Sequence, residues 1–377
     1  MKSAPFEIQL KTRSKGMERV FTFRSAEGVE SPRNILPEEV LLLQGSKIEN
    51  TDAVLCVDSR VGVSACVLGS KASAGRTMMT ESNARTCLIS ELNRRKNDVS
   101  SAEVMLSCSV KDDCIRKFDV ATYIPRKRDP DHVIKQKLYD SIQVLREDGR
   151  LYFCTGKKHA EKFLDFLDGF GELTQKVKND QILIELTEPE KIRRNSFVRQ
   201  KRLEHSIKGE NCRFKTLEGN FSAEKLNLVE MLSRELEVDE NDSLLDLDAD
   251  FGGVGVFASK LYNCSVSFTE RECQMAEFIR DNCELNEVEN FDVLVEDGAE
   301  NFDLAEFDAV TYIVDGSRSS EVIESDIHDC RRVLKEGGKL YVGHSKEFNA
   351  ESVVRKVFGD AKAQRREVDY QVTSVVK

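Results

Sequence analysis

The residues with the richest chemistry lie in one short run, Leu245-Asp246-Leu247-Asp248-Ala249-Asp250-Phe251-Gly252-Gly253-Val254-Gly255. An apolar strand ending in alternating carboxylates and then glycines sets acceptors and bare backbone side by side. Gly252, Gly253 and Gly255 would let the backbone approach a ligand closely. Glu270 stands at the tip of the next apolar run, where a carboxylate can accept both hydroxyls of a ribose. Asp297, in Glu296-Asp297-Gly298-Ala299, follows a third run and can accept from an adenine amino group. An acid after each of three successive strands is the layout of an S-adenosyl-L-methionine pocket.

Other ligands remain open at this point. Gly253-x-Gly255-x-x-Ala258 also satisfies a loose dinucleotide pattern. A pyrophosphate, however, wants bare amides and a helix N-terminus, and Asp246, Asp248 and Asp250 bring negative charge there. The methyl donor carries a sulfonium and an ammonium beside its carboxylate, so acids suit it better. A cofactor-free sheet with solvated acids at its rim is the bland alternative.

These residues must be held by strands. In the second half, Ser243–Leu247, Cys264–Thr269, Phe291–Val295, Ala309–Val314, Lys339–Gly343 and Tyr370–Val376 read as strands. Ile323, Ile327, Cys330 and Leu334 recur at helical spacing, and Gly337-Gly338 is expected to stop that helix. Strand–helix alternation of this period indicates a doubly wound, mostly parallel sheet, whose ligands bind at the carboxyl ends of the strands. The first half repeats the second: Glu81 and Glu270, Asp119 and Asp308, and Tyr152 and Tyr341 are each 189 residues apart. Gly62 answers Gly252 and Asn93 answers Asn282. The fold class expected is therefore α/β, two tandem doubly wound Rossmann-like domains arising from an internal duplication. Their bounds are 1–186 and 221–377, with a basic linker over 187–220 and a strand or arm in residues 1–20.

Charge divides unevenly over these parts. Lys and Arg stand against Asp and Glu as 30 to 27 in residues 1–186, 9 to 5 in 187–220 and 17 to 35 in 221–377, which gives the net −11. A chain-wide nucleic-acid footprint would be basic, so any RNA contact falls to the first copy and the linker. The candidates are Arg126, Lys127 and Arg128 in the first copy, and Lys191, Arg193, Arg194, Arg199, Lys201 and Arg202 in the linker. A solvated connector is the alternative for the linker. The 11 cysteines include no Cys-x-x-Cys pair and the five histidines are dispersed, so no metal is expected. No long apolar run or secretory leader is visible, which points to a cytoplasmic protein with reduced thiols and no membrane partner.

Several further motifs resemble one family. Tyr123-Ile124-Pro125-Arg126-Lys127-Arg128 is similar to an aromatic-Pro-Lys-x-Lys segment, and Gly149-Arg150-Leu151-Tyr152-Phe153 with Ala160-Glu161-Lys162 continues that pattern. Gly219-Asn220-Phe221-Ser222 with Leu226 resembles a Gly-x-Phe-Ser segment that closes over a cofactor. Val333 to Leu340 and the Val357-Phe358-Gly359 turn match later strands. Together they resemble the two-domain guanine-N2 methyltransferases of ribosomal RNA, in which a degenerate first copy precedes a cofactor-binding second copy.

Two departures accompany the likeness. The family's donor loop reads Asp-x-Gly-x-Gly-x-Gly, whereas Asp248 and Asp250 stand here at the first two glycine positions. Its Asn-Pro-Pro-Phe loop, which holds the target amine, is replaced by Ile313-Val314-Asp315-Gly316.

The resemblance implies S-adenosyl-L-methionine bound by Asp246, Asp248, Gly252, Gly253, Gly255, Glu270 and Asp297. RNA would be positioned by the first copy and linker, and a flipped-out base would enter near Asp315, the one catalytic candidate. A catalytically inactive RNA- or protein-binding module of the same fold is the rival reading, favoured by the departures. A methyltransferase acting on a small molecule or protein is a third, favoured by the acidic second copy. Cys56, Ser59 and Cys108 lie near or at the positions of the second copy's acids, so the first copy is expected to bind no cofactor. Oligomeric state is left open.

Overall fold

Apolar runs of five or six residues separated by amphipathic stretches become strands and covering helices in the computed structural model. It describes residues 6–14, 17–109, 117–190, 196–219, 223–314, 318–348, 350–367 and 369–377. The chain divides into two units, Lys2–Arg199 and Gln200–Lys377. The first unit begins with β1 (Phe6–Ser14), β2 (Met17–Ser25), α1 (Pro37–Gly45), β3 (Ala53–Val57), α2 (Val63–Lys71), β4 (Arg76–Glu81) and α3 (Ala84–Lys96). It continues with β5 (Ala102–Leu106), β6 (Phe118–Tyr123), α4 (Asp131–Gln143), β7 (Leu145–Gly156), α5 (Lys157–Asp168), β8 (Glu172–Lys178) and β9 (Gln181–Thr187).

The second unit repeats this order element for element. It opens with β10 (Gln200–Ile207), β11 (Glu210–Leu217), α6 (Ala223–Glu235), β12 (Ser243–Leu247), α7 (Gly253–Tyr262), β13 (Ser265–Glu270) and α8 (Cys273–Leu285). Then come β14 (Phe291–Val295), β15 (Phe307–Ile313), α9 (Ser320–Val333), β16 (Leu334–Ser345), α10 (Ala350–Phe358), β17 (Lys362–Arg366) and β18 (Tyr370–Val376).

Each unit holds a seven-stranded sheet of the same topology, β5-β4-β3-β6-β7-β9-β8 in one and β14-β13-β12-β15-β16-β18-β17 in the other. The first five strands in each order run parallel, and the sixth is antiparallel to its neighbours on both sides. Strand order reverses between β12 and β15, as it does between β3 and β6, so their carboxyl ends flank the crevice where ligands of such sheets bind. In the first unit Ile134, Leu138 and Ile142 of α4 and Phe163 and Leu167 of α5 bury against one face. Leu41, Leu42, Val63, Cys66 and Ile89 bury against the other. A sheet covered on both sides explains why its strands read as unbroken apolar runs.

The structural repeat reaches further than the sequence alone displays. Residues expected as an N-terminal arm and as a linker each supply an antiparallel hairpin, β1–β2 and β10–β11. Each hairpin is tied to a helix by two asparagines one turn apart, whose carboxamides pair with a strand as another backbone would. Asn93 exchanges hydrogen bonds with Arg24 at 2.6 and 2.8 Å, and Asn97 with Thr22 at 2.9 Å each way. In the second unit Asn282 does the same with Lys215 at 2.7 and 2.9 Å, and Asn286 with Arg213 at 2.9 and 2.7 Å.

One local expectation is corrected. Helix α9 ends at Val333, before Gly337-Gly338, and the chain enters β16 at once. A side chain at Gly338 would lie 3.0 Å from the Asp308 carbonyl, so this glycine serves close strand approach rather than helix termination.

Asn282 is fully buried and also donates to the Phe251 carbonyl at 2.8 Å. Asn282→Ala should leave three backbone groups without this partner, the one at Phe251 in a buried bond, and destabilise the protein by about 2–4 kcal/mol. Urea denaturation checks this, and a loss below about 1 kcal/mol would mean that the tether is replaceable by water.

Candidate functional site

The turn after β12 carries the chemistry. Asp248, Asp250 and Gly252 have φ of 56°, 57° and 79°. The first unit repeats the conformation with Asp58, Arg60 and Gly62 at 46°, 62° and 79°. A left-handed residue other than glycine costs about 1–2 kcal/mol, and Asp is among the better tolerated. The backbone of a glycine loop is thus kept while two of its glycine positions carry side chains. Neighbouring strands fix it: Asp248 N–H donates to Thr269 Oγ1 at 3.2 Å and Ala249 N–H to the Thr269 carbonyl at 2.9 Å. Gly252 caps α7 from its left-handed conformation.

Two acids line this turn from below. Asp246 accepts from the Thr311 hydroxyl at 2.8 Å and from Gly255 N–H at 2.9 Å. Glu270 accepts from Asp250 N–H at 2.8 Å and Glu272 N–H at 2.9 Å. Both are buried, and burial pushes each carboxyl up to about 7. Neither meets a cation among these contacts, so desolvation prevails over the backbone donors.

Above the turn lies an ion-pair cluster. Arg271, directly after Glu270, reaches Asp248 at 3.1 Å, Asp297 at 2.6 Å and Asp326 at 2.7 Å. Arg318 pairs with Asp248 and lies 3.5 Å from Asp326. Tyr312 donates its hydroxyl to Asp326 at 2.8 Å. Burial works against the Arg271 charge, yet the Asp326 and Asp297 carboxylates hold its pKa above the ordinary guanidinium value. Asp250 turns the other way and pairs with Lys225.

The first unit builds the equivalent cluster with charges exchanged. Asp58 pairs with Lys137, which also lies 3.0 Å from Asp129, and Tyr123 donates to Asp129 at 3.2 Å. Burial opposes the Asp58 charge, but Lys137 and Arg126 hold its carboxyl well below the usual range. At the spacing of 189 residues, Lys137 corresponds to Asp326, Asp129 to Arg318 and Tyr123 to Tyr312. Cation and anion have traded places between helix and loop while the tyrosine stays.

The structure gathers Asp246, Asp248, Gly252, Glu270 and Asp297 around one turn. It assigns Gly253 and Gly255 differently from the expectation of ligand approach. A side chain at Gly253 would meet the Phe251 ring at 2.7 Å, and one at Gly255 would overlap the Phe268 ring. Gly255 lets α7 pack on β13, and Gly253 leaves room for Phe251 and for Val229 of α6. Asp315, Lys191, Arg193 and Arg194 lie outside the described residues. Arg126 is corrected as an RNA contact: its side chain, 15 % exposed, lies 3.5 Å from Asp58 and 3.9 Å from Glu81. Lys127, Arg128 and Arg199 are exposed. Lys201 and Arg202 are exposed on β10, in a hairpin and not a linker. Sequence reading missed Arg271 and Asp326; the exchange of Lys137 for Asp326 at aligned positions was the available signal.

The raised Glu270 carboxyl sets a pH dependence. The folded state binds a proton that the unfolded state releases between about pH 4.5 and 7, so this group's contribution falls as pH rises through that window. Glu270→Gln should remove that fall, so its stability relative to the parent should improve by on the order of 2 kcal/mol from about pH 5 to 8. Denaturant titrations at the two pH values measure the difference; a constant offset would place Glu270 in a solvated setting.

Residues 211–374 match the family model of the methyltransferase small domain. No curated protein matches the chain by sequence. Among solved structures the chain is similar to the T. thermophilus 16S rRNA N2 G1207 methyltransferase RsmC in complex with AdoMet and guanosine. That likeness has 16% identity and a TM-score of 0.78, and covers 98% of each chain. Lesser likenesses include P. horikoshii TYW2 in complex with MeSAdo, at 14% identity and TM-score 0.37, over 46% of this chain and 69% of that one. M. jannaschii TYW2 in complex with AdoMet stands at 13% and 0.37, over 47% and 85%. The chain has the two-domain α/β fold of the RsmC structure, and its second unit carries the methyltransferase small domain match.

Proposed function

We propose that this protein is an S-adenosyl-L-methionine-dependent methyltransferase acting on a base of a structured RNA, with the donor held in the second unit. The observation that carries the proposal is the set of buried acids Asp246, Glu270 and Asp297 at the ends of three adjacent parallel strands, around a left-handed turn. The residues fit the donor. Each Glu270 oxygen accepts one backbone amide and retains a lone pair for a ribose hydroxyl. Asp248 Oδ1, Arg271 Nη1 and Arg318 Nη1 are held by ion-pair contacts of 3.1 and 3.5 Å without hydrogen-bond geometry, so hydrogen-bonding capacity remains within the site. Glu270 would hold the ribose, Asp297 the adenine amine, and the 248–252 turn the methionine end. The bound donor would supply an electrophilic methyl group, while Asp315 orients or deprotonates the acceptor amine.

The T. thermophilus protein holds AdoMet and guanosine together, which supports a purine amine as the acceptor class. For RNA, the exposed Lys127, Arg128, Arg199, Lys201 and Arg202 offer phosphate contacts. Among the described residues no helix is long and apolar enough to cross a membrane.

A second reading rests on a specific observation. Arg271 and Arg318 bridge Asp248, Asp297 and Asp326 across the strand ends, and Ile313-Val314-Asp315-Gly316 lacks the amine-holding asparagine. A protein locked in that state would be a binding module without methyl transfer.

Isothermal titration should show S-adenosyl-L-methionine binding that Glu270→Ala weakens by at least about tenfold, the worth of one good charged hydrogen bond. Absence of binding at millimolar donor would select the binding module. Replacing both Lys201 and Arg202 by Ala should weaken RNA binding and lower the slope of log affinity against log salt by about 1–2. An unchanged slope would remove β10 from the RNA surface.

A further inference from the structure

We infer that Asp248 and Arg318 form a receptor for the zwitterionic amino-acid end of the nucleoside donor, an inference that rests on the second unit being the donor site. The pair lies at the turn where the family pattern has glycine, and its charges match those of an α-amino acid. An α-ammonium would take Asp248 and an α-carboxylate would take Arg318. The Asp248–Arg318 pair and the longer Arg318–Asp326 contact are exchanged for two intermolecular pairs, Arg271 stays beside Asp248, and the net charge of the site is unchanged. The aspartate that departs from the glycine pattern then recognises the ligand instead of blocking it.

Three features make this pair the exchangeable one. The Arg271 side chain is 7 % exposed and shared among three carboxylates, which fixes it in place. That of Arg318 is 20 % exposed and precedes α9, so its guanidinium can swing without moving a helix. Asp248, its side chain 6 % exposed, meets Arg271 Nη1 through Oδ1 at 3.1 Å, and Arg318 Nη1 meets Asp326 Oδ2 at 3.5 Å, both ion pairs without hydrogen-bond geometry. A buried charge with unused hydrogen-bonding capacity is costly, and a ligand bearing complementary groups relieves that cost.

The first unit supplies the internal contrast. There Asp58 meets Lys137, which projects from the middle of α4 and is anchored again by Asp129. Releasing Asp58 would take one of two carboxylates from a buried lysine that α4 holds in place. The two copies therefore differ in whether their central ion pair can open.

The test compares S-adenosyl-L-methionine, its decarboxylated analogue and 5′-methylthioadenosine by isothermal titration with the full chain. The parent should prefer the complete donor over the decarboxylated analogue by about tenfold or more. Arg318→Ala should reduce that preference to about onefold, while Arg318→Lys, which keeps the charge and safeguards folding, should retain part of it. Asp248→Asn should weaken the decarboxylated analogue, which keeps the ammonium, while leaving 5′-methylthioadenosine within about twofold. Binding of the donor with a preference that survives Arg318→Ala overturns this inference and leaves the donor site standing. Failure of all three nucleosides to bind the parent overturns both.

Discussion

A carboxylate that stays ionised when buried at the rim of a sheet must meet a cation, and that requirement organises the turns after β3 and β12. Asp248 and Asp58 occupy the same left-handed position, and each side chain is nearly inaccessible to water. Breaking such a pair by removing one partner costs about 3–5 kcal/mol, because a charge is left in a poor solvent. The cation must therefore come from an element that can be held firmly. In the first unit it comes from α4, and in the second from the residue after β13 and the segment before α9. The crossing elements are placed by apolar packing, but the charge decides which of their side chains face inward.

This explains how one framework carries opposite charges. The sheet orders, helix positions and asparagine tethers are the same in both copies. Lys137 in α4 is answered by Asp326 in α9, and Asp129 by Arg318. Exchanging one member alone would place like charges together: a lysine beside Arg318, or an aspartate beside Asp129. Exchanging both keeps every contact attractive. The second copy then adds Arg271 where the first has Ser82, which balances the extra carboxylate of Asp297. The tyrosine hydroxyl donates to whichever acid is present, so Tyr123 and Tyr312 need not change.

Most of the framework was legible because it rests on local patterns. Runs such as Ser243–Leu247 and Phe291–Val295 are apolar enough to be read directly as strands. The hairpins were not, since β10 is largely exposed and its Lys and Arg resemble a solvated linker. What marks the hairpin as folded is the hold of Asn282 and Asn286, in α8 and at its end, on Lys215 and Arg213 of β11, a long-range pairing without local periodicity. The acids of the site were legible by type and position. Their partners were not, because Arg271 sits beside Glu270 in sequence with nothing to show which way it turns. Gly253 and Gly255 were misread for a related reason: glycine signals close approach but does not say to what, and here it is to aromatic rings.

The asymmetry between copies bears on which of them can admit a ligand. Cys56 stands where the second unit has Asp246, and burial pushes its thiol up to about 12, so it stays neutral and accepts weakly. Glu81 persists, but its Oε1 accepts from the Ser59 and Ser90 hydroxyls at 2.6 and 3.1 Å. Glu270 in the second unit accepts from backbone amides instead. Side-chain hydroxyls knit the first site together, whereas Glu270 is held by backbone amides alone, one after β12 and one after β13, and keeps a lone pair on each oxygen for a polyol. Two copies of one fold have thus put the same buried acid to different use, in the first for cohesion and in the second, as the proposal requires, for a ligand's hydroxyls.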